Sequence, residues 1–213
     1  MPVRPPVAVV LCALAGCTDA SVRQDSPLLA AVLARDTAEV GRLAAAGGDL
    51  DVPDENGRTP LTWAVSRESA DVAGLLLRLG ADPAAADHVG VTPLHLAGDT
   101  VTAGALLAHG ADLGARDAAG KTPLWTAAAD CNAAVASFLV RRGADARTRD
   151  GTGASPLHTT AFPATAAVLL DAGADVNGRD GGGATPLDVA EALSRREYAA
   201  FLRSRGGARS RGG

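Results

Sequence analysis

Apolar and polar positions along this chain come in blocks rather than in one continuous stripe. In the block from Thr59 to Gly80, Leu61, Ala64 and Val65 fall at helical spacing, and Val72, Leu75, Leu76 and Leu79 form a second such set. Each set marks one face of a helix. Thr59 and Pro60 stand directly before the first set. A hydroxyl there caps a free N–H, and proline at the first helical position has its φ preset and holds the capping residue extended. Gly80 closes the second set at a position that favours a left-handed residue. The stretch from Asp82 to Gly90 then reads as a turn-rich hairpin connection. One block is therefore helix, turn, helix, projecting loop.

The block recurs. TPL or SPL begins at Ser26, Thr59, Thr92, Thr122, Ser155 and Thr185, with steps of 33, 33, 30, 33 and 30 residues. GGD at Gly47 and GAD at Gly80, Gly110, Gly143 and Gly173 keep the same beat. So does Asp-x-x-Gly, at Asp54/Gly57, Asp87/Gly90, Asp117/Gly120, Asp150/Gly153 and Asp180/Gly183. Three markers in one phase define an internal repeat. No single unit can bury its apolar face alone, so neighbours must stack. The two 30-residue units, from Thr92 and Ser155, align at both ends with the longer ones. Their missing residues therefore come from the middle, where the first helix turns into the second. About one helical turn, roughly 4.5 Å of rise, is lost there, which leaves either a notch on the inner face or a tolerated loop deletion.

TPLHLA at Thr92 to Ala97, SPLH at Ser155 to His158, the GAD markers and the Asp-x-x-Gly-x-Thr-Pro-Leu junctions resemble ankyrin repeats. The resemblance covers residues 26–206 and implies an all-α fold: a solenoid of about six stacked helix-turn-helix units with projecting hairpin loops, the last acting as a cap. It also implies protein binding through the loop tips and the exposed face of the first helices. Carried over position by position, that surface comprises Glu55, Asn56, Arg58, Ser66, Arg67, His88, Val89, Ala118, Ala119, Lys121, Ala129, Asp130, Gly151 and Thr152. His95 and His158 occupy the fourth position of TPLH, where the family uses the imidazole to hydrogen-bond between neighbouring repeats.

Composition and charge narrow the remaining chemistry. Aromatics are only 3% of the 213 residues, so the core is built of small aliphatic contacts, which suits closely spaced helices. Residues 17–202 carry 15 basic against 24 acidic side chains, which argues against nucleic acid as the main partner. The repeat-marking aspartates satisfy turn N–H groups. GRDGGGA at Gly178 to Ala184, superficially similar to a calcium-binding glycine-rich repeat, occurs once and in hairpin phase. DLDVPDENG from Asp49 fails as an EF-hand because Pro60 stands where a bidentate Glu is needed. The histidines and Cys131 lack zinc-ligand spacing, and no nucleophile and base pair up. The expectation is thus no catalytic residue, no metal and no cofactor, in a monomer. Trp63 and Trp125 read as packing residues.

The two ends differ from the middle. Arg4 followed by the apolar run Val7 to Leu14 is too short to span a bilayer, and Leu14-Ala15-Gly16-Cys17 resembles a bacterial lipobox. That resemblance implies a signal peptide over 1–16, acylation of Cys17, a polar tether over 17–25 and a lipid anchor on the periplasmic side of the cell envelope. The alternative is a start codon placed too early on a soluble cytoplasmic or exported protein. Residues 207–213, rich in Arg and Gly, are expected to be disordered.

Overall fold

A computed structural model describes residues 26–210. Cys12, Cys17, the apolar run and the proposed tether lie outside the described residues. Among those described, eleven α-helices and one short 3₁₀ helix form, and no strand. The chain divides into two compact units, the first ending at Asp112 and the second beginning at Leu113.

The first unit holds α1 (Pro27–Leu33), α2 (Thr37–Ala45), α3 (Pro60–Ser66), α4 (Ala70–Leu79), the 3₁₀ helix (Pro93–Leu96) and α5 (Thr100–Ala108). In it α1 packs on α3 and α3 on the 3₁₀ helix, while α2 packs on α4 and α4 on α5. The second unit holds α6 (Pro123–Ala129), α7 (Ala133–Arg141), α8 (Pro156–Thr159), α9 (Pro163–Asp171), α10 (Pro186–Ala192) and α11 (Arg196–Ser204). There α6, α8 and α10 stack in order, as do α7, α9 and α11. Each unit is thus three helix pairs deep, with first helices on first helices and second on second. The TPL leucines Leu61, Leu94, Leu124, Leu157 and Leu187 are all at most 2% exposed. Each such burial contributes about 1.5–3 kcal/mol.

The helix starts form as their chemistry requires. Thr59 Oγ1 accepts the Thr62 N–H at 3.3 Å and Thr122 Oγ1 the Trp125 N–H at 3.3 Å. Gly80, at φ +100°, ends α4 in the left-handed region, which a side chain would strain.

The 30-residue units lose their turn from the first helix alone. In the other four units the first helix spans seven residues and is followed by a left-handed residue: Arg35, Glu68, Cys131 and Ser194 all have φ between +54° and +57°. In the short units the first helix has four residues and runs into an extended Ala97 or Thr160. The second helices α5 and α9 keep nine residues. The deletion therefore also removes the strained left-handed position.

In the fifth repeat the resulting gap is filled from the sixth. Tyr198, 1% exposed, donates its hydroxyl to the Leu157 carbonyl at 2.5 Å. Arg195 donates to the Thr159 and Thr160 carbonyls, each at 3.0 Å. Burial pushes the Tyr198 hydroxyl well above its ordinary pKa. The carbonyls orphaned by shortening α8 are thereby satisfied.

The C-terminal segment also departs from expectation over residues 207–210. Asn177 Nδ2 donates to the Gly206 carbonyl at 3.1 Å and its Oδ1 accepts the Ala208 N–H at 2.7 Å. Thr185 Oγ1 donates to the Ala208 carbonyl at 2.9 Å, and Asp188 Oδ2 accepts the Ser210 N–H at 2.9 Å. Composition alone predicts a free tail because it counts apolar residues, whereas this stretch is held through its backbone.

Candidate partner-binding surface

Each hairpin is organised by its aspartate. Asp54 Oδ1 accepts the N–H groups of Asn56 and Arg58 at 2.8 and 2.9 Å. Asp87, Asp117, Asp150 and Asp180 accept from the residues two and four positions on in the same way. These carboxylates are architectural, as their position in the repeat suggested. Neighbouring tips are joined by backbone: His88 N–H donates to the Asn56 carbonyl at 2.9 Å, Gly151 to Ala119 at 2.7 Å and Gly181 to Thr152 at 2.8 Å. Gly57, at φ +81°, lies against the His88 ring, where a Cβ would come within 2.5 Å of a ring carbon.

What remains outward are the tip side chains. In the first unit Glu55, His88 and Val89 are exposed and Asn56 is half-buried. In the second, Ala118, Ala119, Gly151 and Thr152 are exposed, and the Thr152 hydroxyl turns back to Asp150 Oδ1 at 2.7 Å. The second-unit tips therefore offer backbone and small side chains.

The first-helix face carries two tryptophan sites. Trp63, 4% exposed, donates its indole N–H to Asp54 Oδ2 at 3.0 Å. The Arg58 guanidinium lies 4.3 Å from the ring centroid and that of Arg67 5.5 Å. Arg58 is also 3.3 Å from Asp54, with its side chain only 12% exposed. Arg58, expected to face a partner, is thus a support for Trp63 and for its own hairpin. Ser66 likewise turns inward, donating its hydroxyl to the Trp63 carbonyl at 2.9 Å. Lys121 lies 4.4 Å over the half-buried Trp125. Ala129 is half-buried at the end of α6, and Asp130, next to it, is exposed.

His158 performs the linking role that the resemblance implied. His158 Nδ1 accepts from the Ser155 N–H at 3.1 Å, so its ring proton sits on Nε2, which donates to the Ala184 carbonyl of the next repeat at 3.1 Å. His95 Nδ1 accepts the Thr92 N–H at 3.2 Å. His109 bonds the Ala105 carbonyl of its own helix at 2.8 Å.

One recurrent feature escaped the sequence reading. Arg116, Arg149 and Arg179 each precede the hairpin aspartate and donate to the carbonyl of the hairpin glycine four residues on, at 2.8, 2.7 and 3.1 Å. Arg116 also donates to the Arg149 carbonyl at 2.8 Å, and Arg149 to that of Arg179. Pro53 and Ala86 hold this position in the first unit. The signal was present as Arg-Asp-x-x-Gly, three times in succession.

Residues 7–87 and 28–117 match the family model for ankyrin repeats in three copies, and residues 119–151 match that for a single ankyrin repeat. The chain is an ankyrin repeat protein. Among solved structures, this ankyrin repeat protein is similar to the ankyrin repeat domain of Bcl-3, described as a unique member of the IkappaB protein family. Identity is 31%, over 87% of this chain and 88% of that one, with a TM-score of 0.75. An ankyrin repeat domain from Acinetobacter baumannii AYE is 28% identical, over 84% of this chain and 97% of that one, with a TM-score of 0.73. The ankyrin fold is generally one of protein–protein interaction. Among the described residues no group of three or more His, Cys, Asp or Glu converges as a metal site would, and no helix is long and apolar enough to cross a membrane.

Proposed function

We propose that this ankyrin repeat protein is a non-catalytic binding module that takes a protein partner on its hairpin tips and first-helix face. The observation that supports this is the division of labour within each hairpin. Asp54, Asp87, Asp117, Asp150 and Asp180 are spent on turn N–H groups, while Glu55, His88, Val89 and Thr152 stand outward. Capture with the purified chain, followed by mass spectrometry, should yield a partner whose retention falls when Glu55, His88 and Val89 are changed together to Ala. Retention unaffected by that triple change and by Thr152→Arg would refute this choice of surface.

The second half of the proposal is an anchor at Cys17, in the envelope. It rests on the Leu14-Ala15-Gly16-Cys17 pattern after a short apolar run. The rival is a soluble protein. Metabolic labelling with a fatty acid separates the two. Label lost in Cys17→Ser and kept in Cys12→Ser supports the anchor, whereas unlabelled wild-type protein in the cytosol refutes it.

A further inference from the structure

We propose that the end of the array is a second peptide site, selective for an extended segment bearing one arginine, and that residues 206–210 hold it shut in cis. The contacts are those of a receptor with its ligand rather than of a frayed terminus. Asn177 reads the backbone from both sides, donating to the Gly206 carbonyl and accepting the Ala208 N–H. Thr185 holds the Ala208 carbonyl and Asp188 the Ser210 N–H. Four main-chain bonds to alternate residues are how extended peptides gain affinity, with selectivity left to the side chains between them. The side chain between is Arg209, whose Nε lies 3.0 Å from Glu191 and 3.8 Å from Asp188.

Asp188 makes the site possible. In the fifth repeat this fourth position is His158, which donates to the next repeat's Ala184 carbonyl. A carboxylate reverses that polarity and must receive a donor. Inside its own repeat Asp188 Oδ2 accepts the Thr185 N–H at 2.9 Å and shares the single Thr185 hydroxyl proton, at 2.8 Å, with the Ala208 carbonyl. What it presents beyond is an acceptor for a main-chain N–H, flanked by Glu191. Desolvation alone would raise the Asp188 pKa, but the hydrogen bonds from Thr185 and Ser210 outweigh it and hold the carboxyl well below the usual range. With the tail in place the Asp188 carboxyl therefore stays ionised. Because the tail is tethered a few residues away, its effective concentration is of millimolar order, so a competing segment must bind more tightly or meet a vacated site.

The test uses the full chain. Arg209→Ala with Ser210→Pro, added to Asn177→Ala, removes the ion pair and three of the four main-chain bonds and frees Asp188 for a competing segment. A synthetic peptide of residues 206–213 is then titrated into ¹⁵N-labelled protein. The amide signals of Thr185 and Asp188 should shift saturably in this variant, with affinity at least about tenfold above that for wild type, where the tethered tail competes. Binding should fall by about tenfold or more when the peptide carries Ala for Arg209, or when Asp188→Asn and Glu191→Gln are added. Equal responses of variant and wild type, or indifference to the arginine, would overturn the site. Should the variant unfold, the wild type decides. Amide exchange at Ala208 and Ser210 at least about tenfold slower than in the free peptide supports cis occupancy, and exchange at the free-peptide rate overturns it. A dimer by light scattering would place the tail on a second copy and overturn the cis reading.

Discussion

The third and fifth repeats have lost the same three residues, yet their second helices begin by different means. Asp99 caps α5, with Oδ1 accepting the Val101 and Thr102 N–H groups at 2.8 Å and Oδ2 accepting the Thr102 hydroxyl at 2.7 Å. In the fifth, Phe162 stands at that N-cap and supplies no side-chain bond. Thr165, at the position of Thr102, is fully buried with its hydroxyl unpartnered. The repair comes from Arg195 and Tyr198 of the next repeat. A borrowed donor makes a repeat lean on its neighbour, so the fifth repeat should share its stability with the sixth.

The largest effect should not discriminate between the two repeats. Leu94→Ala and Leu157→Ala each remove a leucine at most 1% exposed and should cost about 2–5 kcal/mol in urea denaturation. A cost below about 1 kcal/mol at either would break the assumption that both short helices are packed. Next, Arg195→Ala leaves two carbonyls without their donor and should cost about 1–3 kcal/mol. The loss should appear as faster amide exchange in α8 and α9 as well as in α11. Exchange disturbed only in α11 would mean the fifth repeat does not depend on the sixth. Asp99→Ala should cost about 0.5–2 kcal/mol, confined to α5. The smallest and sharpest contrast is of sign. Thr102→Val should destabilise by about 1 kcal/mol, because it strips a bonded hydroxyl, whereas Thr165→Val should stabilise by up to about 1 kcal/mol by removing an unbonded one. Thermal melts of the two variants shifting in the same direction would undo the comparison.

Much of the fold is legible in the order of residues alone. The Thr-Pro or Ser-Pro starts, the glycine after each second helix and the Asp-x-x-Gly turns are local devices whose geometry depends on residues within four positions of one another, so the folded chain keeps them as its sequence spells them. Of the proposed surface, the tips Glu55, His88, Val89 and Thr152 emerged as exposed for the same reason. Arg58 did not, because its carboxylate partner and the ring beneath it are gathered by the turn and the helix together.

By itself the sequence determined the repeat, its phase, the position of the deletions and the role of the hairpin aspartates. Tertiary structure alone decided who fills a gap. That Arg195 would cross to Thr159 and Thr160, that Arg116, Arg149 and Arg179 would knit successive hairpins, and that a Gly- and Arg-rich tail would be held at Asn177, Thr185 and Asp188 all depend on contacts between residues some 22 to 36 positions apart. Periodicity specifies which face of a helix is buried. It does not specify which long polar side chain reaches an orphaned carbonyl on the next layer, because that choice rests on distances set only once the layers have stacked.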